Sequence, residues 1–541
     1  MLERFFADPS SASARGTRGR TEAKAEFATL GPVRLAGWLG LLGFAVGLAI
    51  LAFTRQYPGF TTETDLLGGF IPEAMRLQSG APLVVDFQPP LYSALLALGQ
   101  ALFEDWFRVG LMISWMAAVL TLWVNFAFFH RLFGSAAAWG SAIALMTSAT
   151  FLSFGAMATS DSPFLLVYSV TLLVSLLALQ AEKTRWWVLL LGCCMAAALL
   201  TRFNGLPLLV FFLVPWLRGD PVRNSVSSTA YAVAGFVVVF SLWGGYAQST
   251  GSPVYPTENY ANLAMTYFGE GDRISIESRL AVEEQFSSTW EVVTHQPLHM
   301  GVQYLRDLAY LPHRLFQTDQ SDFLHDGLVA FPLGLLALPG VLLLFLRRPA
   351  PYPALFLGAT ILHVLLLNFK TFDPRFYLFL VPLFGAGAGL LVQEFGRMLD
   401  HRWKRVAGGS VLVVLFLVGA RANLITAERA LAAGQVELSE AIPAVRNVVD
   451  EGDLVVARKR HIPFFAGAEG ALIPDVPATS ELMNELASMG GSRAVYLYFG
   501  EAEWLHRPGL RPLREAQDVP TGLEPVLRGT DASWVLYRVS P

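Results

Sequence analysis

Long apolar segments constrain this chain more than any other feature of its sequence. A helix that spans a bilayer needs about 20 mostly apolar residues, and roughly eleven stretches are candidates for such spans. They are residues 33–53, 107–129, 136–156, 163–180, 186–200, 205–217, 226–246, 328–346, 352–369, 377–395 and 406–420. Within a bilayer the backbone must satisfy its own hydrogen bonds, which helices do within one segment. The sequence therefore predicts a polytopic α-helical membrane protein.

The composition agrees with this prediction. Hydrophobic residues make up 54% of the 541 residues and charged residues only 15%, whereas soluble chains carry about 25% charged residues. The net charge of −4 gives no indication of a nucleic-acid partner. The two cysteines, Cys193 and Cys194, are adjacent within an apolar segment and are interpreted as small core residues, so no disulfide framework is expected.

Basic residues in the short connections predict the orientation. His130 and Arg131, Lys183 and Arg185, Arg218 and Arg223, Arg347 and Arg348, and the group Arg397, Arg402, Lys404 and Arg405 fall on one side when the N-terminus is on that side. By the positive-inside rule this side is cytoplasmic. The prediction is a multi-pass protein of the plasma (inner) membrane, surrounded by the lipid bilayer, with outer loops 54–106 and 248–327.

The chain divides into three predicted regions. Residues 1–31 are rich in Ser, Ala, Gly and Arg without apolar periodicity, which favours a disordered cytoplasmic tail. Residues 32–425 form the transmembrane module, in which the short apolar segment 90–103 is expected to lie along the interface. Residues 437–541 are predicted to be a small extracytoplasmic α/β domain, which either helps to bind an acceptor or is purely structural. Its expected strands and helices are 453–457, 494–499, 534–539, 439–449 and 479–489.

Several ionisable residues lie at the predicted outer ends of the spans. Glu63 and Asp65 follow the first span, and carboxylates this close to a bilayer usually face a polar cavity. Asp161 begins a span directly before Ser162 and Pro163, so a helix cap is the alternative to a site role.

Two arginines at the same predicted end are candidates for binding phosphate. Arg202 lies between two apolar segments, where it either extends along the interface or contacts a phosphate. Arg375 follows the helix-ending pair Asp373-Pro374, and its planar guanidinium suits two phosphate oxygens. The alternative for this second group is a local ion pair of little energetic weight.

These residue types favour chemistry on a phosphate-containing lipid. A carboxylate can serve as general base for an acceptor hydroxyl, and cations can stabilise the charge on a phosphate leaving group. Glycine-rich nucleotide loops, the Gly-x-Ser-x-Gly elbow and Cys-x-x-Cys pairs are not recognisable in the sequence. His295 and His299 have the spacing of a metal-binding face, but Pro297 lies between them, so no metal site is predicted.

Together these residues resemble the GT-C glycosyltransferases, in particular the protein-mannosyltransferase and aminoarabinose-transferase group. The resemblance rests on Thr64-Asp65, on 74–80, on Pro89-Pro90-Leu91-Tyr92, on 159–163, on Arg202 and on Arg375-Phe376-Tyr377. It implies the GT-C fold over about residues 33–420, with Asp65 as the catalytic aspartate and Asp161 as the second acidic position. It also implies that Arg202 contacts the lipid phosphate and that Arg375 and Tyr377 bind substrate.

One departure bears on the substrate. Aminoarabinose transferases have a Glu-Lys pair directly before the two prolines, where this chain has Phe87-Gln88. Aminoarabinose transfer to lipid A is therefore not expected, and another polyprenyl-phosphate sugar is the predicted donor. Glu63 and Gln88 are added as candidate substrate-binding residues.

The predicted function is inverting transfer of a hexose or pentose from a polyprenyl-phosphate carrier to a cell-envelope acceptor, namely a protein, a lipid or a polysaccharide. The sequence leaves a divalent cation open and indicates no other cofactor. Two alternatives are a transporter or flippase of lipid-linked sugars and a non-catalytic membrane scaffold. The gathering of ionisable residues at one end of the spans, without internal repeats, argues against transport.

Overall fold

The computed structural model describes residues 39–59, 63, 65–83, 88–181, 184–254, 260–269, 276–316, 328, 333–347, 351–369, 372–398, 417, 420–421, 423–432, 435–476, 478–491, 493–500, 503, 507–515 and 519–540. The predicted tail 1–31 and most of the predicted span 406–420 lie outside these ranges.

The apolar part of the chain is helical throughout its described residues. In chain order its helices are α1 (Leu39–Phe53), α2 (Ile71–Ser79), α3 (Leu91–Phe103), α4 (Trp106–Phe133), α5 (Ser135–Thr147), α6 (Ala149–Ala156), α7 (Asp161–Gln180), α8 (Thr184–Thr201), α9 (Val222–Thr250), α10 (Tyr260–Phe268), α11 (Ile276–Gln285), α12 (Thr289–His295), α13 (Pro297–Phe316), α14 (Leu333–Arg347), α15 (Pro351–Leu367) and α16 (Leu380–Met398). A π-helical turn, Leu66–Phe70, precedes α2, and 3₁₀ helices occupy Phe203–Arg218 and Pro374–Tyr377.

The prediction of a mostly helical fold is confirmed, whereas the count of eleven spans stays a prediction. Among the described residues, α4, α7 and α9 are long and apolar enough to cross a bilayer. The pair α5 and α6 adds a fourth if it is taken as one span bent by 64°. The remaining apolar helices have 10–17 residues, and α3, the segment expected along the interface, is one of these shorter helices.

Two predicted straight spans take other forms. Segment 136–156 divides at Ser148, whose hydroxyl accepts a hydrogen bond from the Phe151 amide at 3.3 Å and donates one to the Leu328 carbonyl at 2.8 Å. This arrangement ends one helix and caps the next. Segment 205–217 is a 3₁₀ helix that contains Pro207 and Pro215, residues that lack the amide hydrogen an α-helix needs.

Small residues bring the long helices into close contact. A side-chain carbon at Gly140 of α5 would lie 2.1 Å from the Gly385 carbonyl of α16, and one at Gly192 of α8 would lie 1.9 Å from the Ala232 carbonyl of α9. Close approach of backbones at small residues is how helices associate in membranes, where the hydrophobic effect is absent. One apolar core extends through these helices and fixes the positions of their ends.

The C-terminal region contains a five-stranded sheet. Its elements are α17 (Gln435–Arg446), β1 (Leu454–Ala457), α18 (His461–Ala466), β2 (Glu469–Leu472), α19 (Thr479–Met489), β3 (Val495–Phe499), α20 (Pro512–Glu515), β4 (Leu523–Arg528) and β5 (Val535–Val539). The strand order is β2-β1-β3-β5-β4. β1 is parallel to β2 and β3, while β5 is antiparallel to β3 and β4.

Three strands of this sheet were predicted and two were not. β1, β3 and β5 are apolar and buried, as expected from 453–457, 494–499 and 534–539. β2 (Glu-Gly-Ala-Leu) is short and poor in β-branched residues, and β4 contains Pro525. Both are edge strands, where such residues are tolerated.

Candidate functional site

Asp161 and Arg202 form the centre of the candidate site. Asp161 is the first residue of α7 and is 4% exposed, and its Oδ1 lies 2.9 Å from Arg202 Nη1. The same nitrogen donates a 2.9 Å hydrogen bond to the Ser160 hydroxyl. Ser160, rather than Asp161, is the cap residue of α7, so the capping alternative does not describe Asp161. Its carboxylate instead holds the guanidinium in place.

Arg375 approaches the same place from the turn before α16. The Asp373 carboxylate accepts a hydrogen bond from the Arg375 amide at 3.0 Å and lies 2.9 Å from Arg375 Nε. Asp373 thus caps the 3₁₀ helix Pro374–Tyr377 and orients the arginine that follows it. Both side chains are partly exposed, 23% for Asp373 and 18% for Arg375.

The two arginines share one aromatic ring. The Cζ atoms of Arg202 and Arg375 lie 5.4 Å and 4.8 Å from the ring centroid of Phe376. The contacts described above use Nη1 of Arg202 and Nε of Arg375, so the described residues leave further N–H groups of both guanidiniums for a ligand. A pair of guanidiniums with unused donors matches the oxygens of a phosphate.

Asp65 lies beside this pair. It is the cap residue of the π-helical turn Leu66–Phe70 and its side chain is 30% exposed. Burial lowers the pKa of Arg202, and the carboxylates of Asp161 and Asp65 oppose that effect. Asp65 also contributes to raising the pKa of Arg375. Asp65 is therefore close enough to act electrostatically on both arginines, and it is the more accessible of the two candidate catalytic carboxylates.

Glu63 is placed differently from Asp65. Its side chain is 0% exposed and pairs with Arg55, whose Nη1 donates to Glu63 Oε1 at 2.9 Å. The amides of Gly59 and Ala158 donate to the same carboxylate at 2.6 Å and 2.8 Å. With both oxygens occupied by protein donors, these contacts favour a structural role, and substrate binding by Glu63 stays a prediction.

The other two candidates also differ in position. Gln88 lies against the π-helical turn, where a side-chain carbon at Gly69 would be 2.3 Å from its Oε1. Its Nε2 is buried and has no hydrogen-bond partner among the described residues. Tyr377 is 2% exposed and stacks on Phe372 at 5.4 Å. The structure thus brings Gln88 close to the turn that begins at Asp65, whereas Tyr377 is part of the core.

One residue of the site was not predicted from the sequence. Lys459, in the loop after β1, places its Nζ 3.9 Å from Asp65 Oδ1. The basic run Arg458-Lys459-Arg460 directly after a strand was the available signal, but the sequence gave no reason to place it next to residue 65. In the part of the chain that the structure describes, no group of three or more His, Cys, Asp or Glu side chains could hold a metal ion.

Comparisons with known proteins agree with the predicted resemblance. Residues 87–243 match the family model described as dolichyl-phosphate-mannose-protein mannosyltransferase. The fold is similar to that of ArnT from Cupriavidus metallidurans bound to undecaprenyl phosphate, with 15% identity, a TM-score of 0.53 and coverage of 93% of this chain and 98% of that chain. It is also similar to the Archaeoglobus fulgidus oligosaccharyltransferase in complex with zinc and sulfate, with 13% identity, a TM-score of 0.53 and coverage of 84% and 67%.

A further structure of the Archaeoglobus fulgidus enzyme AglB, in complex with an inhibitory peptide and a dolichol-phosphate, matches with 13% identity, a TM-score of 0.51 and coverage of 84% and 68%. None of the curated protein sequences matches this chain. The resemblance to GT-C glycosyltransferases is confirmed, and the chain has their fold with a small C-terminal sheet.

Proposed function

We propose that this protein is an inverting glycosyltransferase of the GT-C type that uses a polyprenyl-phosphate sugar as donor. The observation that carries the proposal is the pair of guanidiniums over Phe376 next to the accessible carboxylate of Asp65. This arrangement pairs a phosphate-binding element with a general base, the two groups that sugar transfer from a lipid phosphate requires. The structures with undecaprenyl phosphate and dolichol-phosphate support this class of donor.

In the proposed reaction, Asp65 accepts the proton of an acceptor hydroxyl as its oxygen attacks the anomeric carbon. The bond between that carbon and the phosphate oxygen breaks on the opposite face of the sugar, which inverts the configuration. Arg202 and Arg375 hold the phosphate and stabilise the negative charge that it gains. Asp161 and Asp373 fix the two arginines through their ion pairs, and the unpartnered Nε2 of Gln88 is a donor for the sugar or the phosphate.

The reaction takes place on the outer face of the plasma membrane in this proposal. The basic connections Arg218/Arg223 and Arg347/Arg348 lie on the side opposite to the loops that contain Asp65, Arg202 and Arg375, so the positive-inside rule puts the site outside. A lipid-linked donor fits that location because its activated sugar needs no nucleotide. The acceptor is a protein, lipid or polysaccharide of the cell envelope.

The test uses the purified protein with labelled polyprenyl-phosphate sugars and a cell-envelope extract. Wild type should transfer label from at least one donor. Arg202→Ala should bind undecaprenyl phosphate about 10- to 100-fold more weakly, because it loses a hydrogen bond to a charged group worth about 1.5–3 kcal/mol.

The matched control is Arg397→Ala. Arg397 is 62% exposed, pairs with Glu394 and lies near the end of α16 away from Arg375, so its loss should leave lipid binding unchanged. Absence of transfer with every donor, or equal affinity of Arg202→Ala and wild type for undecaprenyl phosphate, would contradict the proposal. The first result would favour a transporter or a scaffold.

A further inference from the structure

The C-terminal sheet has a crevice at the carboxyl ends of two neighbouring strands. From β1 the chain passes through α18 to β2 on one side, and from β3 it continues to β4 and β5 on the other side. In open sheets with parallel strands, ligands bind where successive connections leave in opposite directions. The carboxyl ends of β1 and β3 form such a point.

The loops at this point are tied together by a buried carboxylate. Glu503 is 5% exposed and accepts hydrogen bonds from the Gly500 amide at 2.9 Å and the Arg458 amide at 3.2 Å. The loop after β3 is thereby connected to the loop after β1. Because Lys459 directly follows Arg458, its backbone is held at the mouth of the crevice.

Contacts between the C-terminal region and the first loop fix Lys459 relative to Asp65. The ring of Phe465 in α18 packs edge-on against Tyr57 at 5.2 Å and contacts Phe107 at 6.3 Å. The Gln435 side chain donates a 2.7 Å hydrogen bond to the Tyr57 carbonyl. The crevice therefore faces the candidate site, and Lys459 lies between the two.

The ammonium of Lys459 is incompletely satisfied. Its side chain is 29% exposed, and Asp65 at 3.9 Å is its ion-pair partner among the described residues. That distance is longer than a hydrogen bond, whereas an ammonium has three donors. Burial lowers the pKa of Lys459, and Asp65 partly offsets this. A partly buried cation without close partners is the setting in which an anionic ligand gains most.

We propose that the C-terminal domain completes the donor site, with Lys459 binding the phosphate of the polyprenyl-phosphate sugar. Asp65 acts electrostatically on Arg202, Arg375 and Lys459 alike, so the three cations surround one carboxylate. A phosphate held by the two arginines lies within reach of the lysine from the opposite side. This inference rests on the proposed function and adds a substrate contact from outside the membrane module.

The test measures binding of undecaprenyl phosphate to the full-length protein in lipid nanodiscs. Lys459→Gln should weaken binding about tenfold, as expected for one hydrogen bond to a charged group, and should reduce the salt dependence of binding. Lys459→Arg keeps the charge and should stay within a few-fold of wild type. Arg493→Gln is the matched control, because Arg493 lies in the same domain and pairs with Glu469 at its surface.

Two further arms separate the explanations. Asp65→Asn should bind undecaprenyl phosphate at least as tightly as wild type, which distinguishes a phosphate contact from an effect of Lys459 on Asp65. Inorganic phosphate serves as competitor. Unchanged lipid affinity in Lys459→Gln, or an effect confined to inorganic phosphate, would overturn the inference. Failure of wild type to bind the lipid, or of Arg202→Ala to weaken binding, would instead count against the proposed function.

Discussion

Glu63 and Asp65 are separated by one residue, yet their carboxylates meet opposite environments. Glu63 is 0% exposed and bound by Arg55 and two backbone amides, while Asp65 is 30% exposed and faces Lys459. The first carboxylate holds the loop between α1 and α2 against the residues that precede α7. The second is available to a substrate. The sequence offered both as site residues, and only the structure distinguishes them.

This difference leads to a prediction for Glu63→Gln. The substitution leaves the buried guanidinium of Arg55 without its counter-charge, and breaking a buried ion pair typically costs about 3–5 kcal/mol. The thermal unfolding midpoint should fall clearly, while protein that remains folded should bind undecaprenyl phosphate as wild type does. Thermal unfolding followed together with lipid binding provides the measurement.

Asp220→Asn is the control for this prediction. The Asp220 side chain is 39% exposed and pairs with Arg218 at 2.9 Å, and exposed ion pairs contribute less than about 1 kcal/mol. Equal melting of Glu63→Gln and wild type, combined with a loss of lipid binding, would instead assign Glu63 to the substrate site.

At the residue scale, the sequence predicted the partners of the site better than their contacts. Asp161, Arg202 and Arg375 were named because each interrupts or ends an apolar segment, and the structure brings them together. The sharing of Phe376 by the two arginines could not be predicted, because it depends on how distant helices pack. Lys459 was missed for the same reason: its proximity to Asp65 follows from the docking of a separate domain.

At the scale of elements, apolar runs predicted where helices occur but not how regular they are. The bend at Ser148 arises from a single hydroxyl that caps one helix and contacts Leu328. The 3₁₀ form of Phe203–Arg218 follows from Pro207 and Pro215, a signal visible in the sequence. In the C-terminal sheet, the apolar strands were recognisable, whereas the exposed edge strands β2 and β4 lacked the pattern.

Helix α18 gives rise to a prediction about pH. It begins at His461, which is 1% exposed, and burial lowers the pKa of this histidine to about 3, with Lys459 and Arg458 acting in the same direction. In the unfolded chain a histidine has a pKa of about 6.5. Between these values the unfolded state binds the additional proton, so stability falls as the pH decreases from about 6.5 toward 3.

The expected loss reaches about 2 kcal/mol between pH 6.5 and pH 5, at roughly 1.4 kcal/mol per pH unit. Thermal unfolding of wild type and His461→Gln at pH 7.5 and pH 5 measures this. Wild type should lose more stability on acidification than the variant, which has no imidazole to protonate. An identical pH dependence of the two proteins would show that His461 does not limit the stability of the docked domain.

At the scale of the whole molecule, two separately folded parts contribute to one site. Glycine contacts such as Gly140 with Gly385 allow the membrane helices to pack closely, which positions the turns that contain Asp161, Arg202 and Arg375. The C-terminal sheet, attached through α18 and α17, adds Lys459 from the other side. The fold class was predictable from the apolar segments and the late strands. The arrangement of the two parts was not, since no local pattern encodes a contact between them.

The central claim is that Asp65 removes a proton during sugar transfer, and one measurement tests it most directly. The transfer rate of Asp65→Asn is compared with that of wild type, using the labelled donor that wild type accepts and with undecaprenyl phosphate binding as the control for folding. Asparagine keeps the shape of the side chain but cannot act as the base, and general-base catalysis contributes about 10²–10⁴-fold. We expect transfer to fall by at least about 100-fold while lipid binding is retained. Transfer within a few-fold of wild type would contradict the assignment of Asp65 and the mechanism built on it.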